Sequence, residues 1–225
     1  MAIVVFDLDG TLIDSAPDIR SAANKMLAEQ DIAPLDLPTI ISFIGNGLPK
    51  LVERVMDRTG LDSARHDELT AVTLAHYNAA TTELTHPYSG VAAALEDLVQ
   101  QGHQLALCTN KPEEPARAIL RDLQLETYFD AVVGGDTLPV KKPDPAPLLH
   151  LIPEGSRGLY VGDSEVDAET ARRAGVRFAL FTEGYRKTSV STIPHQDRFS
   201  DFSALPGIVE AVFREEYHGT SGTYL

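Results

Sequence analysis

Two aspartates separated by one residue, Asp7 and Asp9, stand at the head of the chain's chemistry. They close the apolar run Ala2-Ile3-Val4-Val5-Phe6 and open the segment Asp7-Leu8-Asp9-Gly10-Thr11-Leu12-Ile13-Asp14. A short β-branched run stopped by charge and glycine predicts a strand buried on both faces of a parallel sheet. Both carboxylates then lie just beyond its carboxyl end, where open α/β sheets bind ligands. Two carboxylates so close repel, and a fold that holds them together needs a cation or a shared proton to tolerate the pair. A polar turn after a buried strand would use the same residue types without any chemistry.

Three further segments follow in order: Thr109-Asn110-Lys111, Lys142-Pro143 and Gly162-Asp163-Ser164-Glu165-Val166-Asp167. Taken with Phe6-Asp7-Leu8-Asp9-Gly10-Thr11-Leu12, the series resembles the motifs of the haloacid dehalogenase-like superfamily, and the resemblance covers nearly the whole chain. It implies phosphoryl transfer, which needs an in-line nucleophile, neutralised phosphoryl oxygens and a proton for the leaving group. By resemblance Asp7 is the nucleophile that forms an aspartyl-phosphate. Asp9 is the acid that protonates the leaving oxygen and afterwards takes a proton from water. Thr109 and Asn110 hold a phosphate oxygen, and Lys142 supplies fixed positive charge. Lys142 is preferred to Lys141 because the family's lysine directly precedes proline; Lys141 as a solvated surface charge is the bland alternative. The run Pro143-Asp144-Pro145-Ala146-Pro147 departs from the longer pattern of relatives and leaves the local loop open. Asp163, with Asp7 and the backbone carbonyl of Asp9, forms an oxygen-only site suited to Mg²⁺. Asp167 is an outer-shell ligand, a partner for a lysine, or a first-turn aspartate that suits the helix dipole.

These groups need elements to carry them. After Asp14 the pattern turns helical: Ser15 is placed to cap and Pro17 to fit the first turn, and Ile19, Ala22, Ala23, Met26 and Leu27 recur at helical spacing to about Asp31. The segment from Leu37 to Ile44 precedes the break Gly45-Asn46-Gly47; a helix carrying Leu48, Leu51, Val52, Val55 and Met56 follows, then one carrying Leu69, Val72, His76 and Tyr77. No strand is expected between Ser15 and Leu84. An all-helical insertion here looks like the C1-type cap of the same superfamily. His66 and His76 lie inside it without a partner at ligand spacing and read as surface or packing residues. From His86 helix and strand alternate: helix from Ser89 to Gly102, strand 104–109, helix 112–123, strand 131–133, helix 146–151, strand 158–161, helix 164–174 stopped at Gly175, strand 177–181 and a closing helix 204–213. The polar tail from His218 to Leu225 is expected to fray. The fold class is therefore α/β, a doubly wound parallel-sheet core of residues 1–14 and 86–225 with a helical cap at 15–85.

Composition narrows the partners. Nineteen basic against 33 acidic residues give a net charge of −14, which disfavours nucleic acid and anionic membranes. A small anionic substrate is admissible where lysines and a divalent cation reverse the sign locally. Cys108 is the single cysteine; it admits no intrachain disulfide or multi-cysteine zinc site and reads as a buried inert thiol. No apolar stretch reaches the roughly 18 residues of a membrane span, and the apolar start is too short for a secretory segment. A cytoplasmic protein, monomer or homodimer, is expected.

Within the superfamily the acid at position 9 separates the chain from the dehalogenases, and its length leaves no room for the transport ATPases' membrane segments. Phe43-Ile44-Gly45-Asn46-Gly47, Leu51-Val52-Glu53-Arg54, Thr109-Asn110-Lys111-Pro112, Gly134-Gly135-Asp136 and Gly184-Tyr185 look like bacterial phosphoglycolate phosphatases. That resemblance implies Mg²⁺-dependent hydrolysis of 2-phosphoglycolate. A pyrophosphatase, a sugar-phosphate phosphatase or a phosphomutase of the same fold are alternatives, as is a binding protein without turnover. Gly45 and Lys50, with Arg54 one turn on, are expected to approach the non-phosphate end of the substrate, because a glycine turn at a helix N-terminus offers free N–H groups to an anion.

Overall fold

The structure, a computed structural model, describes residues 2–80 and 82–219. Six parallel strands form the main sheet: β1 (Ile3–Phe6), β4 (Gln104–Cys108), β5 (Ala131–Val133), β6 (Gly158–Gly162), β7 (Arg177–Phe181) and β8 (Asp197–Phe199), in the order β5-β4-β1-β6-β7-β8. β1 is central because it can be buried on both sides: Val4 and Phe6 join the cluster under α5 (Val91–Gln100), α6 (Glu113–Asp122) and α9 (Leu205–Gly219), while Val5 joins the one under α7 (Ala146–Leu151) and α8 (Glu165–Ala174). Alternation along a strand sends successive side chains to opposite faces, and each face is covered by helices, as a parallel sheet requires. The expected α/β class is the observed one.

Two strand features depart from the sequence reading. β8 was not expected; its Asp-Arg-Phe carries no apolar run, and it is held at the sheet edge by pairing with β7 and by the Arg177–Asp197 ion pair at 2.8 Å. A short charged strand also suits an edge, where it discourages further pairing. The second departure is the antiparallel pair β2 (Ile13–Asp14) and β3 (His86–Pro87), with Ile13 opposite Pro87 and Asp14 opposite His86. Here the chain leaves the sheet layer and returns to it side by side.

Between those two strands lie α1 (Ala16–Ala28), α2 (Leu37–Phe43), α3 (Leu48–Thr59) and α4 (His66–Asn78). Their apolar faces pack on one another and continue the core through Leu8, Leu12 and Ile13. Buried Asp18 of α1 accepts from the backbone N–H groups of Leu84 and Thr85 and from the Thr85 hydroxyl at 2.7–3.0 Å, clasping the start of the insertion to its end. Ser15 occupies the N-cap position of α1 but its side chain does not cap; the hydroxyl is used elsewhere. α9 runs past Phe213 to Gly219. The expectation for the tail lies, from residue 220, outside the described residues.

Candidate active site

Parallel strands β1, β4 and β6 are neighbours, so their carboxyl ends bring residues from distant parts of the chain to one place. Asp7 follows β1, Thr109 follows β4 and Asp163 follows β6; Lys142 arrives from the loop after β5. All four are buried. Lys142 Nζ lies 2.8 Å from Asp7 Oδ1 and 2.8 Å from Asp167 Oδ1. Oxygens of Asp7, Asp163 and Asp167 stand within 4.8 Å of one another, the one such metal-capable group among the described residues.

Each carboxylate is held differently. Asp163 accepts from the Thr11 hydroxyl at 2.7 Å and from the Tyr185 backbone N–H at 2.5 Å. That approach depends on two glycines: a Cβ on Gly184 would stand 2.2 Å from the Gly10 carbonyl, and one on Gly10, at φ +89°, 2.6 Å from Asp163 Oδ2. Asp167 is saturated by protein donors. Its Oδ1 accepts from Lys142 and the Tyr160 hydroxyl, and its Oδ2 from the backbone N–H and hydroxyl of Ser164, forming a capping box at the start of α8. Asp167 is thus both partner of the lysine and first-turn cap.

The electrostatics follow from burial. Loss of water pushes the Asp7 carboxyl up to about 7, with Lys142 opposing and Asp167 adding to the rise. Burial, with Asp167 and Asp7 as neighbours, drives Asp163 well above the usual carboxylate range. Burial opposes ionisation of Asp167 too, but Lys142 overcomes it and holds that carboxyl below its ordinary value. One lysine does not balance three buried carboxylates. A divalent cation would ionise Asp7 and Asp163 together, and an all-oxygen donor set matches a hard cation. Cys108, buried behind them with its thiol pushed up to about 12, is inert.

Asp9 faces away from this cluster. Its carboxylate accepts from the Ser15 hydroxyl at 2.5 Å and pairs with Lys111 Nζ at 2.9 Å. The Lys111 side chain is 8% exposed, and Tyr77 of α4 accepts from the same ammonium at 3.1 Å. In the sequence Lys111 lies within a motif without a task of its own, and Ser15 and Tyr77 carry the marks of a cap and a helix-packing residue.

A cavity of about 280 Å³ lies over these groups, walled by Asp7, Asp9, Thr109, Asn110, Lys111 and Lys142 from the sheet side and by Ile19, Ile44, Gly45, Leu48, Leu51 and Tyr77 from the helices. The Asn110 side-chain amide donates to the carbonyls of Gly45 and Lys142, both at 3.1 Å, and its buried Oδ1 has no partner among the described residues. Gly45 therefore reaches the site through its carbonyl, as an acceptor. Lys50 does not reach it: the side chain is exposed and pairs with Glu53 at 2.5 Å. Arg54 braces the glycine turn through the Phe43 carbonyl and Asn46 Oδ1. Lys141 reaches the Asn46 carbonyl at 3.2 Å and lines the cavity mouth. His66 and His76 bind the Pro49 carbonyl and Glu29, at 2.9 and 2.6 Å.

A family model described as haloacid dehalogenase-like hydrolase matches residues 4–181. The chain belongs to that family. Its members thus include an enzyme whose Asp7, Lys142 and Asp163 meet as just described. A Cereibacter sphaeroides protein named phosphoglycolate phosphatase is 50% identical over 210 residues, 92% of this chain and 96% of the relative. One of the same name from Rhodobacter capsulatus is 44% identical over 215 residues, with the same coverage of both chains. A solved structure from Haemophilus somnus, described as a predicted phosphoglycolate phosphatase, superposes with a TM-score of 0.88 at 29% identity, covering 93% of this chain and 98% of the other. No helix among the described residues is long and apolar enough to cross a membrane.

Proposed function

We propose that this hydrolase is a Mg²⁺-dependent phosphatase that converts 2-phosphoglycolate to glycolate and phosphate through an aspartyl-phosphate on Asp7, within a core of residues 1–14 and 86–225 and a cap of 15–85. The observation that carries the reading is the divided environment of the Asp-x-Asp pair. Asp7 sits against a buried lysine and a second carboxylate, while Asp9, two residues on, turns to Ser15 and Lys111 at the cavity wall. Two carboxylates in unlike settings are what nucleophile and acid–base roles demand. The names of the relatives supply the substrate.

In this reading the phosphoryl group lies over Asp7, with Lys142 and the Thr109 hydroxyl against its oxygens. Asp7 attacks phosphorus, and the ester oxygen departs with a proton from Asp9; the Asp7–phosphorus bond then yields to water deprotonated by Asp9. Asp7, Asp163 and the Asp9 carbonyl would hold Mg²⁺, which supplies charge neutralisation to the phosphoryl oxygens. Thr11 and Tyr185 hold Asp163 in place, and Tyr160 and Ser164 orient Asp167 so that it fixes Lys142. The helices over the cavity exclude bulk water from the intermediate. A phosphate monoester of a small acid and a cytoplasmic setting accord with the acidic, single-cysteine composition.

The test is kcat/KM for purified protein with Mg²⁺ across 2-phosphoglycolate, sugar phosphates, nucleoside monophosphates, glycerol phosphate and pyrophosphate. Preference for 2-phosphoglycolate is expected. A preferred sugar phosphate or pyrophosphate rejects the substrate, and no turnover of any member rejects the enzyme reading.

A further inference from the structure

A lysine buried at the wall of a cavity needs a reason to be there, because desolvation works against its charge. Lys111 is such a residue: its side chain is 8% exposed, its Nζ lies 2.9 Å from Asp9 Oδ2 and 3.1 Å from the Tyr77 hydroxyl, and it stands 4.8 Å from the centre of the Tyr77 ring. An ammonium has three N–H donors, and Lys111 spends them on Asp9 and on Tyr77. Both line the cavity with it. Tyr77, once it accepts from the ammonium, still has its own O–H to donate. Much of the remaining helix-side wall, Ile19, Ile44, Leu48, Leu51 and Leu74, is apolar and offers a carboxylate nothing.

We propose that Lys111 and Tyr77 together form the subsite for the substrate's carboxylate, Lys111 from the sheet side and Tyr77 from the helices. The inference rests on the phosphoglycolate reading and names the residues that read the substrate's non-phosphate end. It moves that role from Gly45 and Lys50, which face the site with a carbonyl or not at all. The geometry is one of reach. An ester oxygen served by Asp9 must lie within hydrogen-bond distance of that carboxyl, and Lys111 Nζ is already 2.9 Å from it. In 2-phosphoglycolate a single methylene separates the ester oxygen from the carboxylate, so the second negative charge falls beside the ammonium and the Tyr77 hydroxyl. In a glycerol or sugar phosphate the same place receives a neutral carbon or hydroxyl. The ammonium gains a second anion only from the short acid, and a buried cation discriminates strongly for a charged partner.

The test compares 2-phosphoglycolate with ethyl phosphate, which replaces the carboxylate by a methyl group on the same ester. The measured quantity is the ratio of their kcat/KM values in the parent, in Lys111→Met, in Tyr77→Phe and in Lys141→Met, the last altering the other cavity lysine. Lys111→Met should reduce the ratio by about 10²-fold and Lys111→Arg should restore part of it; Tyr77→Phe, which keeps the ring and its packing, should reduce the ratio by roughly tenfold. Equal losses on both substrates in Lys111→Met and an unchanged ratio in Tyr77→Phe would overturn the subsite, leaving Lys111 as a positioning residue for Asp9 and the phosphoglycolate reading intact. A ratio that falls in Lys141→Met alone moves the subsite to the cavity mouth. A parent ratio near one overturns the subsite and the substrate assignment together.

Discussion

Asp7 and Asp9 leave the same strand two residues apart, yet they belong to different regions of the molecule. Around Asp7 every partner is buried and fixed by the sheet layer: Lys142, Asp163, Asp167 and, behind them, Tyr160. Around Asp9 the partners straddle a boundary, since Lys111 comes from the sheet and Tyr77 from the helical insertion, with Ser15 at the junction. A cluster inside one layer can hold a fixed electrostatic arrangement. A group shared between two layers can respond when they close over a ligand. Because β1 ends at Phe6 and the chain turns at once about the Leu8 carbonyl, two residues suffice to send one carboxylate to the buried charge cluster and the other to the cavity wall.

The largest expected effect breaks the first region at Asp7, the proposed nucleophile. Asp7→Asn should lower kcat by about 10⁴-fold or more while the protein stays folded; steady-state assays against a generic aryl phosphate measure it, and activity within tenfold of the parent contradicts the role. Lys142→Ala comes next. Removing one fixed stabiliser should cost roughly 10²–10³-fold in kcat, and leaving buried carboxylates without their cation should also cost about 3–5 kcal/mol of stability by urea denaturation.

Asp7 also sets a pH dependence. Its folded value, near 7, lies above the ordinary 3.8 because burial disfavours the charged form. The folded state therefore binds the proton more tightly, and stability falls as pH rises from about 4 to about 7. Urea midpoints in chelator should show this fall in the parent and a smaller one in Asp7→Asn, which cannot titrate there. Added Mg²⁺ should flatten it, and identical slopes with and without Mg²⁺ would contradict a cation at this cluster.

The second region gives smaller effects. Ser15→Ala removes the 2.5 Å hydrogen bond to Asp9 and should lower kcat about three- to tenfold. The lost buried hydrogen bond should also cost about 1 kcal/mol of stability, as loss of a capping serine would, so the drop in kcat is what separates the two roles. Lys50→Ala should change kcat/KM less than about twofold on any substrate, since surface ion pairs such as Lys50–Glu53 contribute little.

How much of this was legible in the sequence follows the same division. Asp7 and Asp163 could be placed because each ends a short apolar run with a strong strand pattern, and neighbouring parallel strands put such ends together. Lys142 could be chosen over Lys141 only by the family's proline, and the structure turns Lys142 inward and Lys141 to the Asn46 carbonyl. The region around Asp9 was not legible. Lys111 meets Asp9 across 102 residues and Tyr77 across 34, and no local pattern records a contact between layers. Ser15 was misread for a related reason: its type and position suit a cap, but its hydroxyl answers a carboxylate six residues back. β2 and β3 span two residues each, too short for any periodicity, and β8 owes its form to pairing with β7.

The division of labour between the two aspartates is tested most directly by trapping the intermediate. Asp9→Asn should still be phosphorylated by an activated aryl phosphate, whose leaving group needs no proton, but should hydrolyse the product slowly. Acid quench, borohydride reduction of the acyl phosphate to homoserine and tandem mass spectrometry then assign the modified residue. The account predicts homoserine at position 7, dependent on Mg²⁺ in the incubation. Modification at any other carboxylate, or turnover with no trapped residue at all, would contradict it.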